Sequence, residues 1–260
     1  MVSTTEALFA APFLMRKLLA ENFQYPFGEL DTPVQYAYRL MGNDAYAREH
    51  TYSIMTQEGR MDSFNQFMEG KFMKTASAAE RLNILGYDLG AVLQERPACA
   101  PAIMVDIGGG RGELLLDFKA AFPQLKEQDL VVQEFNEAIE RIPGVTLSTW
   151  NFKEAGDNPQ PIQGAQIYHL SHILHNLPDL EAAQLLRKIR QAMAPYSRLL
   201  IHQFSKNTTY AAMHATMAVL YGGRERSSAE WQLLADVADL NVTFEAYPVF
   251  GEGLVEMRKI

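Results

Sequence analysis

The feature that most constrains this chain is a change of pattern at residues 96–101, RPACAP, where two prolines end any helix arriving from upstream. Beyond it, short β-branched or apolar runs alternate with longer amphipathic stretches: IMVDI then ELLLDFKAAF, DLVVQEF then a brief helix through Ile139, then VTLSTW, AQIYHL, DLEAAQLLRKIRQAM and RLLIHQF. Alternation of this kind builds a parallel α/β sheet. The helix from Asp179 sets Leu185, Leu186, Ile189, Ala192 and Met193 opposite Arg187, Lys188 and Arg190, as a helix covering a sheet should. Ser227 and Glu230 have capping-box spacing ahead of a further helix. VTFEAY and GLVEMRK, joined through Pro248, Gly251 and Gly253, read as an antiparallel hairpin.

Upstream of residue 97 the spacing of apolar residues is helical and strand signals are absent. Thr32 and Pro33 form a helix start. Ser63 is expected to cap a helix carrying Phe64, Phe67, Met68 and Phe72, and one helix is expected from Ala76 to Leu93. The expected division is a helical segment, 1–97, and an α/β domain, 98–260.

Composition narrows the function. The 260 residues carry a net charge of -8, and acidic residues outnumber basic ones on both sides of Pro101, so no nucleic-acid partner is expected. Cys99 is the single cysteine, which excludes an intrachain disulfide and paired-cysteine zinc sites. Glu6 stands where a secretory signal needs basic residues, and no uncharged apolar stretch is long enough to span a bilayer. The expectation is a cytoplasmic protein with no membrane contact.

Residues 103–113, IMVDIGGGRGE, place an acid, Asp106, at a strand end and Gly108, Gly110 and Gly112 ahead of a helix. Such a turn lets a ligand reach main-chain atoms that a Cβ would screen, and a helix start favours negative groups, so a nucleotide-like ligand is implied. The dinucleotide pattern G-x-G-x-x-G fails, because Glu113 occupies its third glycine position and would repel a pyrophosphate. Glu134, ending the next strand, can accept hydrogen bonds from both hydroxyls of a ribose.

The series VDIGGGRGE, VVQE, STWNF, HILHNLPD and GGRER resembles, over nearly the whole chain, the class I S-adenosylmethionine-dependent O-methyltransferases of the plant caffeic-acid type and their fungal secondary-metabolism relatives. The resemblance implies a Rossmann-like sheet and S-adenosylmethionine as cofactor. It implies that Asp106 belongs to the cofactor site, that Gly108, Gly110 and Gly112 serve the methionine end of the cofactor, Glu134 its ribose, and Asn151 and Phe152 its adenine. It implies His175 as general base toward a hydroxyl of a small, aromatic acceptor, with Glu225 orienting its ring. Phe64, Met68 and Met217 are candidate acceptor contacts, with core packing as the competing explanation.

Against the family pattern, Asn151 replaces an Asp, Asn176 an Asp, Leu177 a Trp, and Gln203 a second acid near the base. His169, His172 and His175 recur every third residue, yet one leaves a strand and no carboxylate ligand accompanies them, so no metal is expected. The family's N-terminal winged-helix dimerisation region has no counterpart in this sequence, so a monomer or weak homodimer is expected. Two other readings stay open: a repurposed enzyme using the bound cofactor for a dehydration or pericyclic step, and a non-catalytic cofactor-binding partner protein.

Overall fold

Where local capping signals are strongest, the elements start as the sequence implies. The computed structural model describes residues 2–64, 66, 77–135, 142–154 and 158–260. The chain forms two compact units. Met1–Thr75, Leu174–Asp179 and Lys206–Glu225 make a helical unit; Ala76–Ile173, Leu180–Ser205 and Arg226–Ile260 make a sheet unit.

In the helical unit, α1 is Val2–Ala20, α2 is Pro33–Leu40 and α3 is Thr51–Gln57. Thr32 caps α2 as expected: its hydroxyl accepts from the Val34 N–H at 3.1 Å, and Gln35 Oε1 accepts from the Thr32 N–H at 3.0 Å. Ser63 does not cap a helix, because the helical turn there already begins at Met61; Phe67, Met68 and Phe72 lie outside the described residues. A helix that periodicity did not signal, Ala211–Tyr221, completes the unit. Met217, Ala218, Val219, Leu220 and Tyr221 are all buried in succession, so its C-terminal half has no polar face to mark a period. Met217, Val219, Leu220 and Tyr221 share a core with Ala10, Val34 and Ile54.

The sheet unit opens with α4, Ala78–Ile84, and α5, Leu89–Gln94. These replace the single helix expected from Ala76 to Leu93. Gly86 takes φ +78°, the Tyr87 N–H closes back on Leu82 O at 3.0 Å, and Asp88 caps the second helix through the Ala91 N–H at 2.9 Å. Both helices pack into the sheet: Leu82, Tyr87, Leu89, Val92 and Leu93 share a cluster with Met104, Leu130, Ile167 and Leu200. The division between units therefore falls ahead of these helices and not at residue 97.

Seven strands follow: β1 Met104–Ile107, β2 Leu130–Glu134, β3 Thr146–Thr149, β4 Ile167–Ser171, β5 Arg198–Gln203, β6 Leu240–Ala246 and β7 Gly253–Lys259. They lie in the order β3-β2-β1-β4-β5-β7-β6, with β1 to β5 parallel and β7 antiparallel to both β5 and β6. This is the expected Rossmann-like sheet with its C-terminal hairpin. All four residues of β1 are buried, as in a parallel strand covered on both faces. The covering helices include α6, Glu113–Ala121, and α7, Asp179–Ala192, whose Leu185, Leu186, Ile189 and Ala192 are buried as expected. Ser227 and Glu230 cap Ser228–Val237 reciprocally. With Ala211–Tyr221 as α8, that helix is α9. The brief helix expected through Ile139 lies outside the described residues. No helix among the described residues is long and apolar enough to cross a membrane. Strand order reverses between β1 and β4, and in open α/β sheets ligands bind beyond the carboxyl ends of the strands at such a point.

Candidate functional site

In the sheet unit the chain leaving β1 turns through Gly108 at φ +70° and Gly110 at φ +61°, and Gly112 starts α6 at φ +99°. A Cβ at Gly108 would lie 2.5 Å from Ile173 Cδ1, whereas one at Gly110 would meet nothing within 4 Å. The turn is thus closed on its Ile173 side and open at Gly110. The Gly110 N–H donates to Glu134 Oε1 at 2.8 Å, and the Phe135 N–H to Oε2 at 3.3 Å. Burial pushes the Glu134 carboxyl up; the two N–H donors oppose that shift and the neighbouring Asp106 adds to it.

Asp106 lies beneath the loop, 1% exposed, with Oδ1 held by His169 Nδ1 at 2.8 Å. A Cβ on Gly109 would overlap its carboxylate. Asp106 therefore lies directly against the turn at Gly109. Trp150 donates its backbone N–H to Glu134 O at 2.9 Å, which brings the segment after β3 beside the carboxylate. The next residues are Asn151, exposed, whose Oδ1 accepts from the Lys153 N–H at 3.2 Å, and Phe152, half-buried with its ring 6.1 Å from that of Trp150. A glycine turn with an open side, a strand-end carboxylate and an adjoining aromatic and amide suit a nucleoside bearing two ribose hydroxyls.

The helical unit carries the second constellation. His175, 6% exposed, sits in a short 3-10 turn, Leu174–Asn176, with Nδ1 2.7 Å from Oε1 of the fully buried Glu225. The two glycines of GGRER account for that distance. Gly222 ends α8 at φ +68°. At Gly223 a Cβ would overlap the His175 carbonyl oxygen and come 2.6 Å from the Asn176 carbonyl carbon. Main chain thus runs directly against main chain, which delivers Glu225 to the imidazole two residues later. Arg224 reaches Asp179 at 3.4 Å. Leu177, at the expected Trp position, is buried; Gln203 is buried at the end of β5 in the sheet unit.

Of the candidate acceptor contacts, Met217 is in the helical core, as the competing explanation requires, and Met68 lies outside the described residues. Phe64 is half-buried and meets Tyr52 edge-on at 5.6 Å, while Tyr52 stacks on Tyr221 at 4.9 Å. The three recurring histidines do have carboxylates, against expectation, but each has its own: His169 with Asp106, His172 with Glu252 and His175 with Glu225. These partners lie 63, 80 and 50 residues away along the chain, so no local spacing could reveal them. His214 lies 3.5 Å from Tyr25 Oη, and burial together with Lys206 and Arg224 pushes its pKa down.

A family model described as an O-methyltransferase domain matches residues 35–240. The chain is 53% identical over 258 residues to O-methyltransferase bfoE of Aspergillus brasiliensis, covering 99% of this chain and 69% of that protein. It is 52% identical over 258 residues to O-methyltransferase aunE of Aspergillus niger, covering 99% of this chain and 66% of that protein. The crystal structure of OxaC in complex with SAH and oxaline superposes with a TM-score of 0.83 at 20% identity, over 100% of this chain and 65% of that one, a likeness of fold. The chain spans about two thirds of the length of these relatives.

Proposed function

The chain belongs to the O-methyltransferase family, whose methyl donor is S-adenosylmethionine, and on that premise we propose that it methylates a hydroxyl group of a small aromatic secondary metabolite with His175 as general base. The observation that carries this is the buried pair of His175 Nδ1 and Glu225 Oε1, 2.7 Å apart. A carboxylate only accepts, so the bridging hydrogen belongs to Nδ1 and Nε2 is the basic nitrogen of the neutral ring. As Nε2 takes the hydroxyl proton the ring becomes cationic, and Glu225 stabilises that charge while keeping the ring aligned. In the sheet unit, Gly108 to Gly112 would hold the methionine end of the donor, Glu134 the ribose, and Asn151 and Phe152 the adenine. The bound donor supplies an electrophilic methyl group. Alignment of reactants accounts for most of the rate, several kcal/mol, and base catalysis for a further factor of about 10² to 10⁴.

The test is transfer of a labelled methyl group from S-adenosylmethionine to a panel of phenols by wild type and His175→Ala. Label in the phenol with wild type, and its near loss in the variant, is the expected result. Donor binding without any label transfer would overturn the proposal and leave the non-methylating readings.

A further inference from the structure

Glu252, in the loop ahead of β7, gathers three basic side chains from separate stretches of the sheet unit. Its Oε1 is 2.6 Å from His172 Nε2, and its Oε2 is 3.2 Å from an Arg81 guanidinium nitrogen and 3.3 Å from His202 Nε2. The Glu252 side chain is only 8% exposed and the His202 side chain is fully buried. Burial opposes ionisation, yet the hydrogen bond from His172, with the Arg81 guanidinium beside it, holds the Glu252 carboxyl well below the usual carboxylate range. His202, by contrast, is pushed down to about 3 by burial and stays neutral.

What this cluster grips is unusual. His172 takes φ +55°, a left-handed conformation that a residue with a Cβ keeps only when its surroundings compel it. Its N–H donates to His202 O at 3.1 Å and its imidazole is the arm that Glu252 holds. The next residue, Ile173, is the one whose Cδ1 a Cβ at Gly108 would meet at 2.5 Å. A continuous set of contacts runs from Arg81 and Glu252, through His172 and Ile173, to the first glycine of the loop.

We infer that Glu252 is a positioning residue for the donor-binding loop: by pairing with His172 it fixes the left-handed turn that seats Ile173 against Gly108. The inference rests on the donor-binding role of that loop. Without the clasp His172 relaxes toward common backbone conformations, Ile173 leaves Gly108, and the loop spends less time in its binding shape. If that fraction falls to about a tenth, the apparent Kd rises about tenfold.

Calorimetric titration of S-adenosylhomocysteine into the full chain tests this, using wild type, Glu252→Gln, Glu252→Asp, His172→Ala and the Glu252→Gln/His172→Ala double variant. Each of Glu252→Gln and His172→Ala should weaken binding about tenfold, the double variant should lose no more, and Glu252→Asp, which keeps the charge, should recover part. A merely structural role would lower the unfolding temperature of the free protein without moving Kd well below that temperature. Glu252→Gln binding within twofold of wild type, or single losses that multiply in the double variant, would overturn the inference. Should Glu252→Gln fail to fold, His172→Ala decides by the same threshold. A wild type that binds no S-adenosylhomocysteine overturns the donor-binding role itself, and this inference with it.

Discussion

A methyl group added at Gly223 has nowhere to go. Its carbon would come 2.6 Å from the Asn176 carbonyl carbon and overlap the His175 carbonyl oxygen, and both obstacles are main chain, so no side-chain rotation relieves them. Ordinary contact between carbons is about 3.5 Å, so the two backbone segments must part by about 1 Å. The His175–Glu225 hydrogen bond, 2.7 Å in the native chain, is anchored on those same segments and would stretch beyond hydrogen-bonding range. Overpacking of this kind costs about 1–3 kcal/mol of stability, and a misplacement of about 1 Å costs a catalytic group about 10² in rate. Gly223→Ala should therefore lower methyl transfer about 100-fold while S-adenosylhomocysteine affinity, which the proposed function assigns to the sheet unit, changes less than threefold. The rate is read by label transfer at saturating donor and the affinity by calorimetry, with a melting curve to establish that the variant is folded. Glu225→Gln added to Gly223→Ala should cost little more, because both act on one pair. A folded Gly223→Ala protein with the wild-type rate would refute the argument that this close approach sets the geometry of the proposed base.

His175→Ala should slow methyl transfer about 10²- to 10⁴-fold, roughly 3 to 5 kcal/mol, with cofactor affinity nearly intact, and Glu225→Gln should cost less; single-turnover rates check both. Because burial raises the Glu134 carboxyl, it protonates at a higher pH than an exposed glutamate, so S-adenosylhomocysteine affinity should decline as pH falls through that raised value, and Glu134→Gln should abolish this acid limb in calorimetry across pH. The same shift has the opposite sign for folding: protonated Glu134 favours the native state, so its contribution to stability is present at low pH and is lost as pH rises through the folded value. Thr32→Ala removes a buried two-way cap and should cost about 1 kcal/mol, seen as a lower denaturant midpoint.

What was legible in the sequence is what is local. The caps at Thr32 and Ser227 and the turn at Gly108 to Gly112 involve atoms a few residues apart, so their chemistry is written in adjacent letters. The C-terminal hairpin was legible for the same reason, although the insertion of β7 between β5 and β6 was not. The break at Gly86 was missed because flanking apolar spacing runs across it, and the deciding event, Tyr87 turning into the sheet core, is tertiary. Helix α8 escaped because unbroken burial through its C-terminal half, Met217 to Tyr221, erases periodicity there. His175 was found with Glu225 through family pattern, while His172 and Glu252 met no pattern and come together only by the docking of β7 on β5.

The helical unit is assembled from three stretches of chain, and its core needs Met217, Leu220 and Tyr221 from the last of them. During synthesis Ala10, Val34 and Ile54 therefore wait for α8 to emerge before their shared core is complete. His175 and Glu225 arrive on the two late stretches, so their hydrogen-bonded pair is assembled only when this unit closes. The same threading bears on engineering: exchanging this unit with that of a relative requires transplanting three segments at once, because a simple fusion at one junction would graft half a core onto the wrong partner.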